Sequence, residues 1–276
     1  MHEAAVRGAS VREALDSARI ALSASKLDTP RLDAEILLAH AMGTDRTRLF
    51  LDPDTPVEGQ AVRTFRDAVR RRSVGREPVA YITGVKGFRR LELEVDRRVL
   101  IPRPETELLV EWAAQALPAG ARVVDVGTGS GAIALALKDE RPDLDVVGTD
   151  ASAGALAVAR ANASRLGLQV AWVHGDLLAG ASGDAVVSNP PYVERGAVLA
   201  PELGHEPGEA LFAGPRGLEV HERLVPAAAA SGASWLCLEV GAGQAAAVRG
   251  LLPAGWESDV RRDPAGIERA VAAWPR

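Results

Sequence analysis

The sequence predicts an α/β protein: a parallel sheet with helices on both faces, preceded by a small helical domain and a β-hairpin linker. Three observations point there. From about residue 105 onward, short apolar runs alternate with longer helix-like stretches, the pattern of strand–helix–strand units that build a parallel sheet. The first 75 or so residues carry helix start and stop signals instead. Between the two, a stretch punctuated by Gly84 and Gly87 leads into the alternation of Leu91, Leu93 and Val95, a short hairpin over 88–100. These readings set the helical domain at 1–83, the linker at 84–104 and the α/β domain at 105–276. A chain of 276 residues accommodates one large domain and one small one.

Each element has its own signal. Ser10 followed by Glu13 has the form of a capping box, ahead of apolar Val11, Leu15, Ile20 and Leu22. Thr29 before Pro30 opens a second helix, and Gly43 closes it after Ile36, Leu37, Leu38 and Met42. A third helix covers 57–72, with Arg63, Arg66, Arg70, Arg71, Arg72 and Arg76 on it or just beyond. That basic cluster is either a solvated face favoured at a helix C-terminus or a partner contact. In the second half, strands are expected at 122–126, 145–149, 169–174, 184–188 and 234–240, with helices beginning at 133 and covering 153–166. The tail, 256–261 and 267–273, reads as two further strands joined around Gly266.

Composition narrows the function classes. A 47% hydrophobic and 25% charged chain can bury a core, which excludes global disorder. Cys237 stands alone in an apolar run and reads as a small buried hydrophobe, so neither a disulfide framework nor a metal cluster is expected. Residues 1–10 carry Glu3 and Arg7 with no apolar core segment, unlike a signal peptide. No run approaches a membrane span, so a cytoplasmic protein with no membrane partner is expected. Residues 1–83 hold 13 Lys and Arg against 12 Asp and Glu, whereas the remainder holds 19 against 25. An acidic second half argues against a stable nucleic-acid partner, which requires a basic footprint.

Two constellations carry chemistry. Gly127, Thr128, Gly129, Ser130 and Gly131 follow the first strand and open a helix. Glycines there let the backbone approach a ligand closely. The spacing is G-x-G-x-G, not the G-x-G-x-x-G of dinucleotide sites, which suits a ligand without a pyrophosphate, such as S-adenosylmethionine. Asp150 ends the second strand, about 20 residues further on, where a carboxylate accepts ribose hydroxyls; the alternative is a helix N-cap. Asp176 ends the third strand, near where an adenine amino group would lie, or is an ordinary turn residue.

The second constellation is Ser188, Asn189, Pro190, Pro191 and Tyr192, directly after an apolar strand. Consecutive prolines stiffen the backbone and remove donors. The Asn189 side-chain oxygen and the Pro190 carbonyl can then accept both N–H groups of a planar amide or exocyclic amine. An amide nitrogen is a poor nucleophile, and such acceptors hold the positive charge that develops as a methyl group arrives. Tyr192 is expected to pack its ring beside the planar group.

With these elements assembled, the chain resembles the bacterial release-factor glutamine methyltransferases, the HemK-like family. The resemblance covers nearly the whole chain. It rests on Glu77-Pro78-Val79-Ala80-Tyr81-Ile82-Thr83-Gly84 with Phe88, on Leu100-Ile101-Pro102-Arg103-Pro104-Glu105-Thr106-Glu107, on the glycine loop and on Asn189-Pro190-Pro191-Tyr192. It continues through Glu206-Pro207-Gly208-Glu209-Ala210-Leu211 to Gly217-Leu218. It implies a Rossmann-like class I methyltransferase sheet, a helical domain that helps hold the substrate protein, and methyl transfer from S-adenosyl-L-methionine. The acceptor implied is N5 of the glutamine in the Gly-Gly-Gln loop of class 1 peptide chain release factors; the sequence leaves the oligomeric state open, a monomer being favoured. By the same match Gly127 to Gly131, Asp150, Asp176 and Leu177, with Asn189, line the cofactor. Asn189 and Pro190 act on the substrate, and Asn189 through Tyr192 hold it. His205 departs from the family, which usually has an aromatic residue there; a surface or packing role is expected of it. Arg103, Glu105 and Glu107 are either a helix-start ion cluster or part of the site.

Other readings remain: a ribosomal-protein glutamine methyltransferase, a base amino methyltransferase acting on a flipped nucleotide, a noncatalytic binding module, and an NAD-dependent oxidoreductase. The glycine spacing separates the last from the rest.

Overall fold

The computed structural model describes residues 8–276; the charged start that carries Glu3 and Arg7 lies outside them. Two compact units form, one from the described residues up to Gly84 together with Ala200–His205, the other from Val85–Leu199 and Glu206–Arg276.

The first unit is helical: α1 (Val11–Ala24), α2 (Pro30–Met42), α3 (Arg46–Leu51), α4 (Gly59–Ser73) and α5 (Val79–Thr83). The capping box at α1 forms in both directions, Glu13 N–H donating to Ser10 Oγ and the Ser10 amide to the Glu13 carboxylate. Gly43 ends α2 at φ +63°, the left-handed cap that glycine adopts without strain. Leu22, Leu37, Leu38 and Phe65 close the core.

The arginines on and after α4 divide by position. Arg72 is buried and donates to Asp33 at 2.7 Å and to Glu202 at 3.2 Å. Arg71 makes a two-pronged pair with Glu77, and Arg76 bonds the Ser25 carbonyl and Glu202. Neither sequence expectation, solvated face or partner contact, describes these three: they are internal ties of the unit. Glu202 explains why 200–205 belongs here, and His205 Nε2 adds a bond to the Gly75 carbonyl at 2.8 Å.

The second unit opens with the hairpin β1 (Val85–Phe88) and β2 (Leu91–Glu94), followed by α6 (Glu107–Ala116). The hairpin turns at Arg89 and Arg90, so it sits earlier than the 88–100 expected. It is also packed rather than a free linker, because Phe88 and Leu93 are wholly buried in the main core with Leu109 and Leu135. Strands and helices then alternate: β3 (Arg122–Val126), α7 (Ala132–Glu140), β4 (Asp145–Asp150), α8 (Ala153–Leu166), β5 (Ala171–His174) and β6 (Ala185–Ser188). Next come β7 (Val193–Glu194), α9 (Gly208–Leu211), β8 (Phe212–Gly214), α10 (Glu219–Ala230), β9 (Trp235–Glu239) and α11 (Ala245–Arg249). The long hairpin β10 (Trp256–Arg262) and β11 (Glu268–Pro275) ends the chain.

Seven strands form one sheet in the order β10-β11-β9-β6-β3-β4-β5. The α/β fold expected from the alternation is what forms. Strands β3 to β6 and β9 run parallel, and β10 and β11 add an antiparallel edge. Apolar residues on both faces explain this, since β6 and β9 are buried throughout. Cys237 lies fully buried in β9, as its apolar neighbours suggest. Among the described residues no helix is long and apolar enough to cross a membrane.

Candidate active site

The strand order reverses between β3 and β6, and ligands of such sheets bind at the carboxyl ends beside that reversal. Register sets the geometry there. Val126 pairs with Thr149 on one side and Ser188 on the other, and Ser188 pairs with Leu238. The next residue on each strand, Gly127, Asp150, Asn189 and Glu239, therefore leaves the sheet at one level.

Gly127, Gly129 and Gly131 have φ of +69°, +55° and +84°, which costs other residues strain. Gly131 also lacks room, since a Cβ there would lie 2.9 Å from Leu135 Cδ1. The loop is tied down on both sides. Thr128 N–H donates to the Thr149 carbonyl at 2.9 Å and Gly129 N–H to Asp150 Oδ2 at 2.9 Å. From below, the buried Asp125 accepts Thr128 Oγ1 at 2.5 Å and Ala134 N–H at 3.1 Å. Burial pushes the Asp125 carboxyl up to about 7, against those two hydrogen bonds.

A cavity of about 400 Å³ opens over this loop. Gly127, Gly129, Asp150, Asp176, Leu177, Asn189, Pro190 and Pro191 line it, with Arg98, Glu209 and Arg223 among others. Thr128, Ser130 and Gly131 are buried beneath the loop and are not part of its wall. Asp150 accepts Ser152 N–H at 2.8 Å through its other oxygen. The N-cap of α8 is Ser152, whose hydroxyl accepts Ala155 N–H, so Asp150 does not cap the helix and lines the cavity with one backbone hydrogen bond on each oxygen. Burial raises its carboxyl above the usual range, against the bonds from Ser152 and Gly129. Asp176 is exposed and pairs with Arg223, and the Leu177 carbonyl accepts Thr149 Oγ1 at 2.7 Å.

Asn189 is half-buried at the end of β6. Its Nδ2 donates to Thr106 Oγ1 at 3.0 Å, and Thr106 Oγ1 donates to Glu239 Oε2 at 2.6 Å. The Tyr192 hydroxyl donates to Glu239 Oε1 at 3.2 Å. Burial pushes Glu239 up to about 7, with Glu105 adding to the rise and Thr106, Tyr192 and Arg269 opposing it. Tyr192 thus turns its hydroxyl to Glu239, and its ring forms no part of the cavity wall. Arg103 pairs with Glu206, whose other oxygen accepts Ile101 N–H at 3.0 Å. Glu107 accepts Arg89 N–H at 3.1 Å, so neither Arg103 nor Glu107 reaches the cavity.

Sequence reasoning missed Glu239 and the role of Thr106. A signal for Glu239 exists: it is a carboxylate at the carboxyl end of a parallel strand, the position that singles out Asp150. Thr106 has none, because only its tertiary neighbours distinguish it from any helix-start threonine.

The family model described as the PrmC N-terminal domain matches residues 13–84, and that described as a methyltransferase small domain matches 104–214. The release factor glutamine methyltransferase of Deinococcus radiodurans is 40% identical over 95% of this chain and 98% of its own. That of Geobacter sulfurreducens is 39% identical over 95% of each chain. Among solved structures, the hMettl16 catalytic domain in complex with MAT2A 3'UTR hairpin 1 has a TM-score of 0.55 at 15% identity, covering 82% of this chain and 84% of that one; this likeness concerns the fold alone. Matched in this way along nearly its whole length, the chain belongs to the release factor glutamine methyltransferase family.

Proposed function

We propose that this methyltransferase moves the methyl group of S-adenosyl-L-methionine to the side-chain N5 of the glutamine in the Gly-Gly-Gln loop of class 1 peptide chain release factors. The observation that carries the reading is the orientation of Asn189. One N–H of its amide is engaged by Thr106, which turns the oxygen away from Thr106 and leaves it as an acceptor for a ligand, and an oxygen acceptor suits a substrate that brings N–H donors.

The residues present fit the cofactor. Asp150 offers free lone pairs to ribose hydroxyls, the backbone at Gly127 and Gly129 admits the amino-acid portion, and Leu177 offers an apolar wall toward the base. Asp176, at the same end of the sheet, is within the wall that would face an adenine amino group. When bound, the cofactor supplies a methyl group on a sulfonium, an electrophile that leaves a neutral thioether behind.

The protein's own part is positioning and charge stabilisation. Asn189 Oδ1 and the Pro190 carbonyl accept the two N–H groups of the glutamine amide and aim its nitrogen at the methyl. As the nitrogen–carbon bond forms, positive charge grows on nitrogen and these two oxygens stabilise it. The N–H proton becomes acidic only then and is released to water, so no strong base is required beforehand. The release factor glutamine is the favoured acceptor over a nucleotide base because the residues from 84 on carry more acid than base.

Mass spectrometry of purified release factor after incubation with enzyme and cofactor tests this. A 14-dalton gain on the Gly-Gly-Gln glutamine (roughly the mass of CH2, expected from amide methylation) is the expected result. Methyl transfer to an oligonucleotide, with the release factor left unmodified, would overturn it.

A further inference from the structure

The Asn189 amide can occupy its place in two ways, related by a half-turn that exchanges Oδ1 and Nδ2. Shape alone does not choose between them, because the two groups are nearly equal in size; only hydrogen bonding does. The choice matters, since a nitrogen facing the cavity would meet an incoming amide donor to donor.

Thr106 Oγ1 is buried and carries one hydrogen, which Glu239 Oε2 takes at 2.6 Å. What the hydroxyl then presents to Asn189 is lone pairs, and Asn189 meets them with Nδ2 at 3.0 Å. Around Glu239 the other polar neighbours are accounted for. The Tyr192 hydroxyl occupies Oε1, His221 Nε2 bonds its backbone carbonyl at 2.9 Å, and the charges felt there are Glu105 and Arg269. Neither Thr106 nor Glu239 lines the cavity. We propose that Thr106, with its hydroxyl proton held by Glu239, is a positioning residue that keeps Asn189 Oδ1 turned toward the substrate nitrogen. This deepens the proposed function and rests on its reading of a planar NH2 substrate.

Such an arrangement has two consequences. The acceptor is set before the substrate arrives, so no reorganisation is needed during methyl transfer. And Glu239 acts only as an acceptor of the Thr106 proton, so a neutral side chain that still offers an oxygen can replace it.

The test is steady-state methyl transfer to purified release factor by wild type, Thr106→Val, Thr106→Ser and Glu239→Gln, with S-adenosylhomocysteine affinity measured for each by calorimetry. Thr106→Val keeps the shape and removes the hydroxyl; its kcat is expected to fall about 100-fold, the scale of a misplaced reacting group. Its S-adenosylhomocysteine affinity is expected to stay at the wild-type value, and Thr106→Ser to recover most of the turnover. Glu239→Gln keeps an oxygen for Thr106 and an N–H for Tyr192, so it is expected to retain far more turnover than Thr106→Val. If Thr106→Val does not fold, Thr106→Ser and Glu239→Gln still decide: high turnover in both supports the positioning role, and collapse in Glu239→Gln overturns it in favour of proton transfer. Wild-type kcat in folded Thr106→Val also overturns it, as does parallel loss of turnover and S-adenosylhomocysteine affinity in the valine and serine variants. A wild-type enzyme that leaves the release factor unmethylated overturns the functional reading itself, which is a distinguishable failure.

Discussion

Asp150 accepts the backbone N–H of Gly129 at 2.9 Å, so the carboxylate at the end of β4 braces the glycine loop at the end of β3. One side chain thereby shapes the loop and faces the cavity. Its Oδ1 is used once more, by Ser152 N–H, and the lone pairs left over are those proposed for ribose.

Asp150→Ala is therefore expected to weaken cofactor binding before it affects turnover at saturating cofactor. A hydrogen bond to a charged group contributes about 1.5–3 kcal/mol, which corresponds to roughly a 10- to 100-fold rise in the dissociation constant. Calorimetry with S-adenosylhomocysteine measures this directly; an unchanged affinity would sink the assignment.

Asn189→Ala is expected to do the reverse. Removing one preorganised acceptor of developing charge costs about 100- to 1,000-fold in kcat, with cofactor affinity nearly unaltered because Asp150 and the glycine loop remain. Single-turnover rates alongside cofactor titration separate the two effects. Loss of cofactor binding in equal measure would show that Asn189 holds the nucleoside instead.

Arg72 supplies a prediction for the helical unit. Its guanidinium is buried against Asp33 and Glu202, so Arg72→Ala leaves the buried Asp33 carboxylate without its counter-charge, while Glu202 keeps Arg76. Breaking one side of a buried pair costs about 3–5 kcal/mol, to be read as a lower urea midpoint. Arg63→Ala, at an exposed arginine bonded to Gln60 on the same helix, is expected to change that midpoint little.

Buried carboxyls give stability a defined pH dependence. Asp125 and Glu239 are both pushed up to about 7 by burial, whereas unfolded carboxyls titrate near 4. Between roughly pH 4 and 7 the folded protein holds protons that the unfolded chain releases, so these two groups lower stability as pH rises through that window. Below it both states are protonated and above it both are ionised, and their contribution stops changing. Asp125→Asn removes one titrating group, so its urea midpoint should fall less than wild type between pH 5 and 7. A fall as steep as wild type would place the titration elsewhere.

Much of the architecture is local and therefore legible in the chain. The capping box at Ser10, the left-handed stop at Gly43 and the strand–helix alternation after residue 105 each depend on residues a few positions apart. Less local features misled. Helix α10, absent from the elements expected of the sequence, carries Pro226 in its interior, where proline removes a backbone donor. The hairpin lies earlier than its alternation suggests and is packed into the core. The Asn162 amide, buried in α8, bonds the Glu94 backbone through both its atoms and the Ser130 carbonyl through Nδ2, tying the hairpin to the glycine loop.

Sequence by itself determined the class of fold, the glycine spacing that sets the loop after β3 apart from a dinucleotide site, and the proline-stiffened Asn189 turn. These are short-range matters of dihedral freedom and donor inventory, written in consecutive residues. Tertiary structure decided which atom of Asn189 meets Thr106, because Thr106 and Glu239 stand 83 and 50 positions from it along the chain. It likewise decided that Arg71, Arg72 and Arg76 are internal ties and that two carboxyls titrate near neutrality. Hydrogen-bond direction and loss of solvent are properties of what surrounds a group, and folding alone brings those surroundings together.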